Sequence, residues 1–137
     1  MTDKLQQVAD YLTSVPAWYL ATSVDNEPHV RPFSFAAVED DKLWFCTSKN
    51  KDVYDELIAN PRFELSAWAP GRPWLIVHGH AAFAEPSPLM RQEAFKHMLG
   101  LGEEHQAPDD GLLVFFFVQD GIARICDIDG TETRSNL

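Results

Sequence analysis

Basic charge is scarce in this chain. Its 137 residues hold 11 Lys plus Arg against 21 Asp plus Glu, a formal net charge of −10 at pH 7. That balance argues against general affinity for nucleic acid or anionic membrane, because such phosphate binding needs a basic face. Any anion must be held by a local site. Long hydrophobic runs are missing too: nothing approaches the roughly 18 apolar residues that cross a bilayer. The N-terminal MTDKLQQVADYLTSVP lacks the basic start and unbroken apolar core of a signal peptide, so a soluble cytoplasmic protein is expected. Cysteine is limited to Cys46 and Cys126, without CxxC spacing, which predicts buried thiols rather than a disulfide. Nucleophile elbow, Walker loop, GxGxxG fingerprint and HExxH helix are all absent, and conventional hydrolases lose ground accordingly.

What is present reads as one domain over residues 1–137. Leu5, Val8, Ala9 and Leu12 recur at helical spacing before Pro16. WYLATSV (18–24), HVRPFSFAAV (29–38) and LWFCTS (43–48) are strand-like runs separated by Asp25-Asn26 and Glu39-Asp40-Asp41, which suggests an antiparallel meander. A short helix follows, with Asn50 as its expected cap, Asp52 in its first turn, an apolar stripe of Val53, Leu57 and Ile58, and Pro61 as its stop. RFELSAWA (62–69) and WLIVHGHAAFA (74–84) form a second strand pair around Pro70-Gly71-Arg72-Pro73. Ser87 and Pro88 open a third helix over residues 89–99. The stretch GLGEEHQAPDDG (100–111) reads as a loop. LLVFFFVQ and IARICDI are expected to pair as a hairpin across Asp120-Gly121, and GTETRSNL (130–137) as a frayed tail. Six or so strands with three helices imply an α+β domain, with strand spacing that favours a closed or nearly closed barrel.

Few residues carry evident chemistry. Pro32 offers no N–H to a neighbouring strand and belongs at an edge or bulge, where Arg31 either helps seat a flat polar ligand or simply snorkels while the proline blocks aggregation. In WFCTSKNKDVYDEL (44–57), two of the five lysines, Lys49 and Lys51, stand where a strand gives way to a helix. Thr47, Ser48 and Asn50 add donors, and a helix start adds unpaired N–H groups, so the stretch is either a phosphate site or a solvated turn balancing Asp52 and Asp55. His78-Gly79-His80 places two imidazoles on one strand face. They lack an evident third metal ligand, and the alternative is a pair of partly exposed histidines around a glycine that lets another backbone or ring approach. Met90, Phe95, Met98 and the phenylalanines at 115–117 read as core or interface packing. The unbroken apolarity of LLVFFFV suggests a strand covered on both faces, the second by another subunit.

Read in order, YLATSVDNEPHVRPFSF, LWFCTSKNKDVYDELIANPRFELSAW and WLIVHGHAAF resemble the pyridoxamine 5′-phosphate oxidase-like, FMN-binding split-barrel family over residues 18–83, and more loosely through the last strands. The resemblance implies a homodimer of six-stranded antiparallel split β-barrels with peripheral helices, and one FMN in each of two clefts between subunits. It sets the strand over 30–35 beside the isoalloxazine ring, with Arg31, Pro32, Phe33 and Ser34 in contact. It assigns the phosphate to Thr47, Ser48, Lys49, Asn50 and Lys51. Only Lys51 keeps charge opposite the family's basic pair, and Lys49 is the substitute for the other member. Trp74 falls opposite a ring-contacting polar position supplied by the partner, where an indole can stack but cannot accept a hydrogen bond.

The family's vitamin oxidases carry a C-terminal substrate-binding segment of tryptophan, arginine and histidine, whereas this sequence ends with only Arg134 nearby, which counts against pyridoxamine phosphate oxidation. Shorter relatives resemble nitroimidazole reductases, deazaflavin-dependent reductases and haem-utilisation proteins, so fold and cofactor carry over better than substrate. The expectation is a cytoplasmic FMN-dependent oxidoreductase acting on an unidentified small molecule, with NADH or NADPH as the donor to test. The alternatives are a flavin or haem carrier or sensor without turnover, and a cleft that serves only dimerisation. Ser34, Tyr54 and His78 are candidates for proton transfer if they face the ring.

Overall fold

The computed structural model describes residues 2–100 and 110–137. The elements, in order, are α1 (Thr2–Ser14), β1 (Trp18–Val24), β2 (Glu27–Phe33), β3 (Ala37–Glu39), β4 (Lys42–Ser48), α2 (Asp52–Ala59), β5 (Arg62–Ala67), β6 (Trp74–Phe83), α3 (Pro88–Gly100), β7 (Leu113–Cys126) and β8 (Glu132–Asn136). This is an α+β fold with an antiparallel sheet. It has eight strands among the described residues rather than six. The loop expected over 100–111 falls mostly outside the described residues.

Two turns arise where expected, and for local reasons. Asp25 and Asn26 lie at φ 52 and 64, and Asp40 and Asp41 at φ 54 and 59. Two successive left-handed residues form the two-residue turn whose twist matches antiparallel strands, and Asp and Asn tolerate it better than most. They close the hairpins β1–β2 and β3–β4.

The expected meander does not form. The run at 29–38 is broken at residues 34–36, and the sheet order is β2-β1-β5-β6-β7-β4-β3. Phe33 packs into the main core while Phe35 packs into a second cluster beneath α3. The chain therefore leaves β2 between two apolar regions, and β4 pairs with β7 instead. β2 is left at the sheet edge, where Pro32 costs no ladder hydrogen bond.

Asp120-Gly121 does not turn the chain either. β7 runs unbroken through it, and His78 pairs with Ile122 while His80 pairs with Gln119, so β7 carries one extra residue there. Only Asp120 has positive φ, at 54; this is a bulge. Gly79 sits against it, and a β-carbon on Gly79 would lie 2.9 Å from Val118 Cγ1, 3.0 Å from the Gln119 carbonyl oxygen and 3.2 Å from Gly121 Cα. Gly79→Ala should therefore destabilise the fold by about 1–2 kcal/mol through overpacking. Chemical denaturation checks this, and an unchanged midpoint would refute the close approach. Residues 132–136 are not frayed: they form β8, which pairs with β7.

The aliphatic face of α1 (Leu5, Val8, Ala9, Leu12) is buried in the main core with Trp18, Leu20, Phe45, Leu65, Leu75 and Phe116. β7 is covered on both faces within the chain itself, by that core at Phe116 and by the cluster under α3 at Leu113 and Phe115. The cover attributed to a second subunit is thus α3, which buries Met90, Ala94 and Met98. Ser87 caps α3, accepting a 3.2 Å hydrogen bond from Met90 N, and Pro88 occupies the first helical position. Both cysteines are buried free thiols. No described helix is long and apolar enough to cross a membrane.

Candidate functional site

Between edge strand β2 and the end of β4 lies a cleft of about 940 Å³, a size common for small-molecule sites. It exists because β4 has left β2 for β7. One wall is the extended chain from Pro28 to Ser34, the other is residues 46–48 and the start of α2, and Met98 of α3 borders it. Arg31, Pro32, Phe33, Ser34, Thr47, Ser48, Asn50 and Lys51 all line it. The structure thus brings together eight of the ten residues singled out in the sequence.

Lys49 and Trp74 are the two exceptions. Lys49 is exposed and outside the lining, its backbone N–H donating to Leu112 O at 2.9 Å. Of the two lysines, Lys51 alone borders the cleft. Trp74 starts β6 opposite Cys126, away from its own chain's cleft.

The α2 end gathers hydrogen-bond donors. Ser48 to Lys51 is a turn, with Lys51 N–H donating to Ser48 O at 3.1 Å, so the residue before the helix is Lys51 rather than Asn50. Lys51 is extended (φ −103, ψ 146), and its side chain does not cap the helix. The first turn of α2 enters the cleft at Asp52 and Val53, next to the buried Thr47 and Ser48. A helix N-terminus with its partial positive charge, two hydroxyl residues and a lysine make an oxyanion-binding donor set. Ile58, expected on the apolar stripe of α2, is exposed; Val53 and Leu57 alone are buried.

Arg31 lies on the inner face of β2, and its guanidinium is held from below. It donates to Thr22 Oγ1 at 2.9 Å and forms an ion pair with Glu56 of α2, while Thr22 donates to Glu56 at 2.6 Å. Burial pushes the Glu56 carboxyl up, but the hydrogen bonds from Thr22 and Arg31 and the nearby positive charge outweigh it and hold the group below the usual carboxylate range. One arginine thus ties β2, β1 and α2 together, and its charge is already balanced.

Of the three proton-transfer candidates, only Ser34 faces the cleft. The Tyr54 ring packs edge-on against Phe83 with centroids 5.3 Å apart, and His78 lies opposite Glu64 on β6, outside the lining. Ser34 Oγ is 2.8 Å from His97 Nε2 on α3. His97 escaped the sequence reading because it stands among mixed charged and apolar residues of a helix, with no motif around it. Burial lowers its pKa and favours the neutral ring. Groups of three or more potential metal ligands are absent among the described residues, His78 and His80 included.

The family model described as pyridoxamine 5′-phosphate oxidase matches residues 5–118. No curated protein matches the sequence. Among solved structures, a NimC/NimA family protein from Clostridium acetobutylicum superimposes with a TM-score of 0.85 at 23% identity, over 99% of this chain and 94% of that one. General stress protein 26 from Bacillus anthracis gives 0.71 at 18% identity, covering 98% of each chain. A pyridoxamine 5′-phosphate oxidase-related, FMN-binding protein from Nostoc punctiforme gives 0.55 at 12%, over 99% and 93%. At these identities the superpositions speak for the fold.

Proposed function

The chain belongs to the pyridoxamine 5′-phosphate oxidase family, and from that premise we propose that it is an FMN-binding flavoprotein, an oxidoreductase acting on a small molecule. The observation that carries this reading is the start of α2, gathered with Lys51, Thr47 and Ser48 in a cleft walled on its other side by an extended edge strand. The donor set fits a phosphate. The extended chain at 30–34 fits a flat ring, to which an edge strand can offer backbone groups while Pro32 withholds an N–H.

FMN, when bound, supplies electron or hydride chemistry; the protein positions the cofactor and excludes water from it. Lys51 and the α2 N-terminus neutralise the phosphate. Residues 31–34 support the ring, and the Arg31–Glu56 pair holds the two walls in register. We further propose a split-barrel homodimer in which the cleft is completed by a second copy. Val30 is 67% and Tyr19 53% exposed beside it, which is a large apolar exposure for an edge hairpin. In that arrangement Trp74 comes from the partner.

The test is reconstitution. Purified protein mixed with FMN and desalted should retain oxidised-flavin absorption in the blue and near ultraviolet, and should sediment at twice the chain mass of 15.5 kDa. A colourless protein after desalting would overturn the cofactor assignment, a Soret band would replace it with haem, and monomeric flavoprotein would overturn the shared cleft. Anaerobic addition of NADH or NADPH then asks for bleaching; a flavin that neither donor bleaches supports a carrier or another electron source.

A further inference from the structure

Besides the Arg31–Glu56 pair, the cleft has at its α3 side a polar pair that phosphate binding does not use. Ser34 sits in the three-residue break between β2 and β3 and lines the cleft, with its Oγ 2.8 Å from His97 Nε2. The two residues are 63 positions apart in sequence, so the tertiary fold alone joins them. His97 is held in place: α3 is anchored by buried Ala94 and Met98 on either side of it, and its ring centroid lies 5.8 Å from that of Phe35. The other titratable groups named as candidates point elsewhere, and the Arg31 charge is balanced by Glu56.

Resting on the FMN reading, we propose that Ser34 hydrogen-bonds the ring-bearing half of the bound flavin and that His97 is its positioning residue. Phosphate donors occupy the α2 side of the cleft, which leaves the α3 side, where Ser34 and Met98 lie, for the ring. A serine hydroxyl has one donor and two acceptor sites, and a neutral imidazole has one nitrogen of each kind. If Nε2 accepts, the serine proton is occupied and Ser34 offers the cleft an acceptor. If Nε2 donates, the serine hydroxyl is released to donate. The pair can match either hydrogen-bond pattern of a ring whose donors and acceptors change with redox state, without bringing charge into the cleft. A serine alone also rotates, but the helix-held imidazole fixes where its oxygen sits.

The experiment compares binding of oxidised FMN and of dithionite-reduced FMN, under anaerobic conditions, to wild type, Ser34→Ala, His97→Phe and His97→Gln. Ser34→Ala and His97→Phe should change the ratio of the two dissociation constants in the same direction by about three- to tenfold, the scale of one hydrogen bond. His97→Gln, which retains a hydrogen-bonding group near the Nε2 position, should restore much of the wild-type ratio. In wild type, FMN should also shift the ¹⁵N resonances of His97, and in Ser34→Ala that shift should be lost. A Ser34→Ala ratio equal to wild type overturns the proposal; so does a Ser34 effect that His97→Phe fails to reproduce in a folded chain. If His97→Phe does not fold, Ser34→Ala and His97→Gln decide. Wild type that takes up no FMN sinks the cofactor reading together with this inference, whereas normal uptake with unmoved ratios sinks this inference alone.

Discussion

Lys51→Ala should weaken FMN binding about 10- to 150-fold while changing riboflavin binding by less than about twofold, because a hydrogen bond to a charged group is worth roughly 1.5–3 kcal/mol and only FMN carries the phosphate. The substitution is well placed to isolate that effect. Lys51 precedes α2 with extended backbone and its side chain does not cap the helix, so alanine there removes charge from the cleft without removing a cap. Lys49→Ala is the matched comparison: same charge, two residues away, exposed and outside the cleft. It should change FMN affinity by less than about twofold at moderate salt, where distant surface charges are screened. Fluorescence quenching of each flavin on titration gives both constants. Equal losses for FMN and riboflavin would mean that Lys51 does not hold the phosphate, and a large Lys49 effect would mean that the loop closes further over the ligand.

Glu56→Ala should destabilise the fold by about 2–3 kcal/mol. Breaking a fully buried ion pair costs more, about 3–5 kcal/mol, but these side chains keep 20% and 15% of their exposure, so solvent screens part of the loss. What remains is Arg31 without its counterion, and Thr22, only 3% exposed, without the acceptor of its hydroxyl proton. The pH dependence has a definite sign. Because the folded state holds the Glu56 pKa below its ordinary value of 4.5, its contribution is fully present above that value and is lost as pH falls through the depressed folded pKa. Urea denaturation across the acid range should therefore show a wild-type loss below about pH 4.5 that Glu56→Gln flattens. A Glu56→Ala chain as stable as wild type, with an unchanged acid profile, would show that the pair does not brace the cleft.

How much of this was legible in the sequence depended on how local the cause was. Asp25-Asn26 and Asp40-Asp41 became turns because their backbones can reach positive φ and the flanking strands are short. Asp120-Gly121 carried an equally strong turn signal and failed. The type I′ turn that closes the other two hairpins needs two left-handed residues, only Asp120 adopted that conformation, and the ladder from β6 continued past it on the other side of Gly79. The dipeptide allows either outcome; the neighbouring strand chose the bulge. The meander failed similarly, since β4 presents apolar residues on both faces and found full cover only between β7, the main core and α3.

The candidate site divides along the same line. The phosphate end occupies one contiguous stretch, 47–53, in which charge, hydroxyls and helix start are sequence neighbours, and so it could be read directly. By contrast, the Arg31–Glu56 pair spans 25 positions and Ser34–His97 spans 63. Nothing in the residues around His97 distinguishes it from a surface histidine on an amphipathic helix. By itself the sequence determined the α+β class, the hairpin turns, the buried thiols and the stretch that joins lysine, hydroxyls and a helix start, because each follows from backbone preference or burial within a short window. Only the tertiary structure decided which strand lies beside which, which basic side chains line the cleft, and which serine has a histidine behind it. Those outcomes depend on pairing and packing between distant segments, and local propensity carries no information about a partner that has not yet arrived.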